Sequence, residues 1–153
     1  MSLFRPRQNV TVDHYRNIAS VLTEARRIIE DPRNWYKGSF AVDKTGMTVP
    51  YYGYDACAFC ARGAIKKAAS RMFGKTYKVK YIEHVMERAM WFLGAHLTQE
   101  QKPKMLLKEE CELDDAILNL TAFNDDRDRS HSEIMDLFDV AIKEAEKRVS
   151  EAT

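Results

Sequence analysis

The stretch that most constrains this chain is residues 55–73, where small apolar residues are so dense that other segments must enclose it. Read as one helix, it places Ala56, Cys57, Phe59, Cys60, Gly63, Ala64, Ile65, Ala68, Ala69 and Met72 over well over half the circumference. Arg62, Lys66, Lys67, Ser70 and Arg71 are left for solvent. A helix apolar that far round has neighbours on more than one side. Asp55 suits the N-cap, where its carboxylate accepts from the free N–H groups of the first turn. Gly63 costs about 1 kcal/mol relative to Ala inside a helix, so it is expected where another backbone approaches closely.

The segments around it sort by period. Residues 1–10 form a loose arm. A first helix is expected over 11–30, with Ile18, Leu22, Ala25 and Ile29 on one face, and Asp31-Pro32 stops it because a residue before proline resists the helical conformation. Residues 33–54 are aromatic, β-branched and glycine-rich. There 40–42 and 47–49 predict a short hairpin, with Gly46 at the turn position that needs positive φ. A lone hairpin is marginal in water, so Trp35, Tyr36, Phe40, Tyr51, Tyr52 and Tyr54 are expected to dock it on the helices. A third helix is expected over 79–95, with Ile82, Val85, Met86, Ala89, Met90 and Leu93 in one stripe. Residues 97–112, broken by Pro103, read as a linker. A short fourth helix follows from 112, its face running Leu113, Ala116, Ile117, Leu120 and on to Asn124. Ser130-His-Ser-Glu133 is a capping box that opens the last helix.

The chain's 153 residues fit one domain, expected over 11–153, with a core that needs no disulfide. The 24 Lys+Arg against 23 Asp+Glu leave a net charge of +1, too little for a global field, so a nucleic-acid role would need a local patch. No apolar run approaches the roughly 20 residues of a membrane span, and the opening residues lack the apolar core of a signal peptide. Cytoplasmic residence without membrane contact is expected, and three cysteines then read as reduced thiols.

Trp35 with Gly38 and Ala41, the turn glycine Gly46, the run Cys60-Ala-Arg-Gly-Ala-Ile65 with Ala68, and Phe123-Asn-Asp125 leading into Arg129 together resemble an uncharacterised domain family of small bacterial and phage proteins. That family usually carries Trp where Phe123 stands, a change conservative in size. It has no assigned activity, so the resemblance implies a shared fold and cellular setting, with phage or mobile-element origin an expectation for the function, and supplies no mechanism.

Four groups of residues carry chemistry. Cys57 and Cys60 form C-x-x-C at a helix start, where the positive helix end favours thiolate. No βαβ pattern surrounds them, and two cysteines among Ala and Phe read first as core residues. Zinc needs a second ligand pair, but only Cys111 and the scattered His14, His84, His96 and His131 remain, so no metal and no cofactor are expected. Asn124, Asp125, Asp126, Asp128 and Arg129 cluster beside His131. An EF-hand is excluded, because the twelfth position counted from Asn124 is Met135 rather than Glu. Asn124 reads either as a left-handed C-cap or, with Asp125, as a polar tie from the hairpin to the helices, each substitution then costing about 1–3 kcal/mol. Lys66, Lys67, Arg71, Lys75, Lys78 and Lys80, interleaved with Tyr77 and Tyr81, form a basic stretch that reads either as a simple solvated face or as a contact surface for phosphate or an acidic partner.

These readings add up to a mainly α domain of about five helices with one small hairpin between the first and second. The expected function is non-enzymatic binding or regulation, with a protein as the partner. The alternative is a small enzyme using Cys57, Cys60, Asp125 or His131, and the third reading is a nucleic-acid or acidic-protein binder through 66–80. A cleft joining Cys57 or Cys60 to a histidine or to Asp125 would favour the enzyme; a flat apolar or basic surface would favour binding.

Overall fold

The computed structural model describes residues 9–102 and 114–152. Residues 1–8 of the expected 1–10 arm and 103–112 of the expected 97–112 linker, Cys111 among them, lie outside the described residues, as does Leu113. Five helices form the body: α1 (Val12–Ile28), α2 (Ala61–Phe73), α3 (Val79–Ala95), α4 (Asp115–Asp125) and α5 (His131–Ala152). A two-stranded antiparallel hairpin of β1 (Ala41–Val42) and β2 (Ala58–Phe59) stands between α1 and α2.

Thr11 and His14 start α1 with reciprocal bonds: the His14 amide donates to the Thr11 hydroxyl and the Thr11 amide to His14 Nδ1. Its apolar face, Ile18, Val21, Leu22 and Ala25 with Ile29 just beyond, is almost completely buried. α1 packs on α5, α2 and α3, and α3 packs in turn on α4. Phe92, Phe123 and Phe138, from three different helices, are the largest side chains closed off from solvent. α5 opens on the expected capping box, in which the Ser130 amide donates to Glu133 Oε1 and the Glu133 amide to the Ser130 hydroxyl. Among the described residues no helix is long and apolar enough to cross a membrane.

The organising helix is shorter than its composition predicts. α2 starts at Ala61, with Cys60 and not Asp55 as its N-cap, because the preceding residues are used as strand. Ala58 lies opposite Val42 and Phe59 opposite Ala41, while the Cys57 amide donates to the Val42 carbonyl and the Tyr36 amide to the Phe59 carbonyl. A run of small apolar residues fits either period, and the partner strand decides it. Met72, assigned to the buried face, is exposed, and Arg62 and Lys66, assigned to solvent, are half-buried.

The turn over 43–47 has Gly46 at φ +87, with Asp43 Oδ1 accepting from the amides of Thr45 and Met47. The expected return strand over 47–49 supplies only a bridge between Thr48 and Val42 and a bond from the Val49 amide to the Ala41 carbonyl. β1 instead takes β2 as its ladder partner. Tyr52 and Tyr54 are exposed and do not dock the hairpin. Trp35 does that work through its indole.

Gly63 sits where the fold is tightest. A methyl carbon on it would lie 1.8 Å from the Phe40 carbonyl oxygen and 2.6 Å from the carbonyl carbon. The backbone before β1 therefore rests directly on α2.

Candidate functional site

Asn124 is in the last turn of α4 with right-handed backbone, which removes the left-handed C-cap reading, and it is 1% exposed. All four of its side-chain hydrogen-bonding positions are used. Oδ1 accepts from Trp35 Nε1 at 2.7 Å and from the Ala61 amide at 2.9 Å; Nδ2 donates to the Tyr36 carbonyl at 3.1 Å and to Asp125 Oδ1 at 2.9 Å. One amide thus holds the segment before β1 and supplies a cap to the first amide of α2. The N-cap Cys60 adds only a weak sulfur acceptor, 3.3 Å from the Gly63 amide. Asp125 Oδ1 also accepts from the Gly38 amide at 2.9 Å.

The turn after α4 is tied to the same segment. Lys37 Nζ donates to the carbonyls of Asp126, Arg127 and Arg129 at 2.6, 3.2 and 2.8 Å, satisfying backbone groups of the turn that follows α4. The Arg129 guanidinium stacks on Phe123 at 3.8 Å and pairs with Glu133 at 2.6 Å. His131 faces away from this chemistry: its Nε2 lies 2.7 Å from the Ile29 carbonyl, and its ring lies against Trp35.

Between the hairpin segment and α4 lies a cleft of about 320 Å³, with mainly apolar walls. Phe40, Thr48, Cys60 and Thr121 line it together with Arg62, Asn124 and Asp125. The structure therefore brings Cys60, Asn124 and Asp125 together, and leaves Cys57 and His131 out. Cys57 is exposed, contrary to the expected core position, because it precedes β2 and is not on the helix. Cys60 is buried, and that burial pushes its thiol above the ordinary value, with the Asp125 charge adding to the rise. Among the described residues no group of three or more His, Cys, Asp or Glu is arranged to hold a metal ion.

Arg62 is a cleft side chain that helical periodicity misassigned. Its Nη1 donates to Thr121 Oγ1 at 3.2 Å and its guanidinium lies 4.9 Å from the Phe40 ring centre. Lys66 Nζ lies 5.0 Å from the centre of the same ring and 5.5 Å from that of Tyr51. Among the described residues neither cation has a carboxylate within ion-pairing distance. Burial holds both below their ordinary values, and the Arg62 charge lowers Lys66 further. The signal for this arrangement is Phe40, an exposed aromatic ring across from i, i+4 cations, visible only once β1 is placed on α2.

The other basic residues diverge. Arg71 pairs with Glu24 at 3.3 Å, Lys67 is half-buried on α2, and Lys75, Lys78 and Lys80 are exposed at the α2–α3 corner. A separate cavity of about 430 Å³ lies between the end of α3 and the start of α4, with Thr98, Gln99, Lys102, Asp114, Asp115 and Asn119 as its polar lining. It holds no cysteine, histidine or cationic pair, and the chemistry described above lies elsewhere.

No curated protein and no solved structure matches the chain. A family model described as a family of unknown function, DUF6197, matches residues 14–144.

Proposed function

The chain belongs to this family of unknown function, and we propose that it is a non-catalytic binding protein whose cleft takes a small ligand with an apolar body and one anionic group. The observation that carries the proposal is Arg62, a half-buried guanidinium that lines the cleft beside the Phe40 ring with no carboxylate within ion-pairing distance among the described residues, and Lys66 over the same ring from outside the cleft lining. Like charges held together at a partly dry surface raise each other's cost, and an anion between them offsets it. Arg62 presents a planar fork suited to a carboxylate or phosphate. A volume near 320 Å³ is at the lower end for small-molecule sites and suits one ring or short chain. The free thiols of Cys57 and Cys60 agree with a reducing, cytoplasmic setting, which is part of the proposal.

Thermal unfolding in millimolar benzoate or phenyl phosphate tests it. The melting temperature is expected to rise with concentration, as mass action requires of a ligand bound only by the folded state. In Arg62→Gln the rise should disappear. Equal shifts in both proteins, or none in the wild type, would overturn the proposal.

Cys60 and Asp125 in one cleft favour the second reading, a small enzyme. Against it, burial keeps Cys60 as thiol and no histidine lines the cleft to act as its base. Iodoacetamide at neutral pH is expected to modify Cys57 at the rate of an open thiol and Cys60 at least tenfold more slowly, as the burial difference implies. Faster labelling at Cys60 would establish a reactive nucleophile.

A further inference from the structure

The α2–α3 corner carries an aromatic stack that the cleft does not use. Phe73 closes α2, Tyr77 stands in the turn and Tyr81 in the first turn of α3. The Tyr77 and Tyr81 rings are stacked with centroids 4.6 Å apart and planes 24° apart, and Phe73 meets both edge-on at 5.6 and 6.1 Å. The stack is held rigidly. Asn17 Nδ2, on α1, donates to the Tyr81 hydroxyl at 3.0 Å, and the amides of Thr76 and Tyr77 donate to the Phe73 carbonyl at 3.1 and 3.0 Å. Even so, Tyr77 is 47% and Tyr81 37% exposed.

Along the chain the charge between α2 and the start of α3 is of one sign. Lys75, Lys78 and Lys80 are exposed beside it, without an ion pair among the described residues. No Asp or Glu occurs between Asp55 and Glu83. Rigid aromatic faces next to unpaired cations match what unstacked bases on a phosphate backbone require: a surface for the ring and charges for the chain. An acidic peptide would use the lysines and leave the ring faces idle. A membrane surface would want a cluster of protruding apolar side chains, and here only Val79, 71% exposed, stands far out.

We propose that this corner binds single-stranded nucleic acid, with one base continuing the Tyr81–Tyr77 stack and adjacent phosphates on Lys75, Lys78 and Lys80. The proposal is independent of the cleft and of its ligand.

Fluorescence anisotropy with labelled oligothymidylate and oligouridylate, titrated with the full chain at low salt, tests it. Saturable binding is expected, with a slope of log affinity against log salt near −2, about −0.7 for each of three phosphates. Tyr77→Ala should weaken binding about tenfold, the worth of one stacked base, and Tyr77→Phe should restore it. Changing the three lysines together to Gln should flatten the salt dependence. Tyr77 is exposed enough that melting temperatures should stay close to wild type, which separates loss of binding from loss of fold. Preference for either oligonucleotide supports the proposal. Absence of binding, binding indifferent to Tyr77→Ala, or Tyr77-dependent binding of phosphatidylserine vesicles or polyglutamate in its place would overturn it.

Discussion

Asn124→Ala is expected to lower the unfolding free energy by about 3–5 kcal/mol, among the larger effects a single substitution produces. The loss is large because three groups are left without a partner at once: the Trp35 indole N–H, the Ala61 amide at the start of α2, and the Tyr36 carbonyl. Each is worth roughly 1–3 kcal/mol if it stays dry, and partial relaxation toward solvent reduces the sum. Urea unfolding followed by far-ultraviolet circular dichroism measures the effect, and the melting temperature should fall by on the order of 10 °C. Trp35→Phe removes one of the three bonds alone. Combined with Asn124→Ala it should show a coupling of at least about 0.5 kcal/mol, because the two residues share that bond. A loss below about 1 kcal/mol for Asn124→Ala, or strict additivity with Trp35→Phe, would mean that the amide is not the junction.

Gly63→Ala should destabilise by about 3 kcal/mol or more, although alanine is intrinsically the better helix former by about 1 kcal/mol. The sign is decided by contact. A methyl carbon 1.8 Å from the Phe40 carbonyl oxygen meets backbone, which cannot swing aside as a side chain would. The segment before β1 must lift off α2, and the Arg62–Phe40–Lys66 arrangement opens with it. Unfolding of the variant in urea gives the stability change, and near-ultraviolet dichroism reports the displaced aromatics. A neutral or more stable variant would place the Phe40 backbone elsewhere.

The helices were legible because each repeats its apolar residues over several turns: α3 falls at the expected 79–95, and Ser130 with Glu133 marks the start of α5. Gly63 also carried its meaning in the sequence, since a helix-interior glycine among alanines has few uses other than close approach. What failed was local choice between periods. The alternation needed to see Ala58 and Phe59 as strand is two residues long, and only the distant Ala41 and Val42 settle it. The same limit hid the cleft. Cys60 and Arg62, Phe40, and Thr121 with Asp125 come from three separate stretches, and nothing within any one of them signals the others. Asn124 stood out as a polar residue on an apolar face, but its partners beyond Asp125, the Trp35 indole and the backbone of Tyr36 and Ala61, are distant in the chain and beyond the reach of periodicity.

The bonds from Trp35, Tyr36, Lys37 and Gly38 to residues 124–129 join positions 87 to 92 apart in the chain. During synthesis, therefore, the segment that ends at the hairpin leaves the ribosome tens of residues before anything that can anchor it. α1 and its own capping groups are complete early, whereas the cap on α2 arrives only with Asn124. Closing so long a loop costs entropy that local contacts do not return, so the junction is expected to form after the local helices, with only the still more distant α1–α5 packing to follow. A nascent chain stalled before Asn124 carries helices without the cleft.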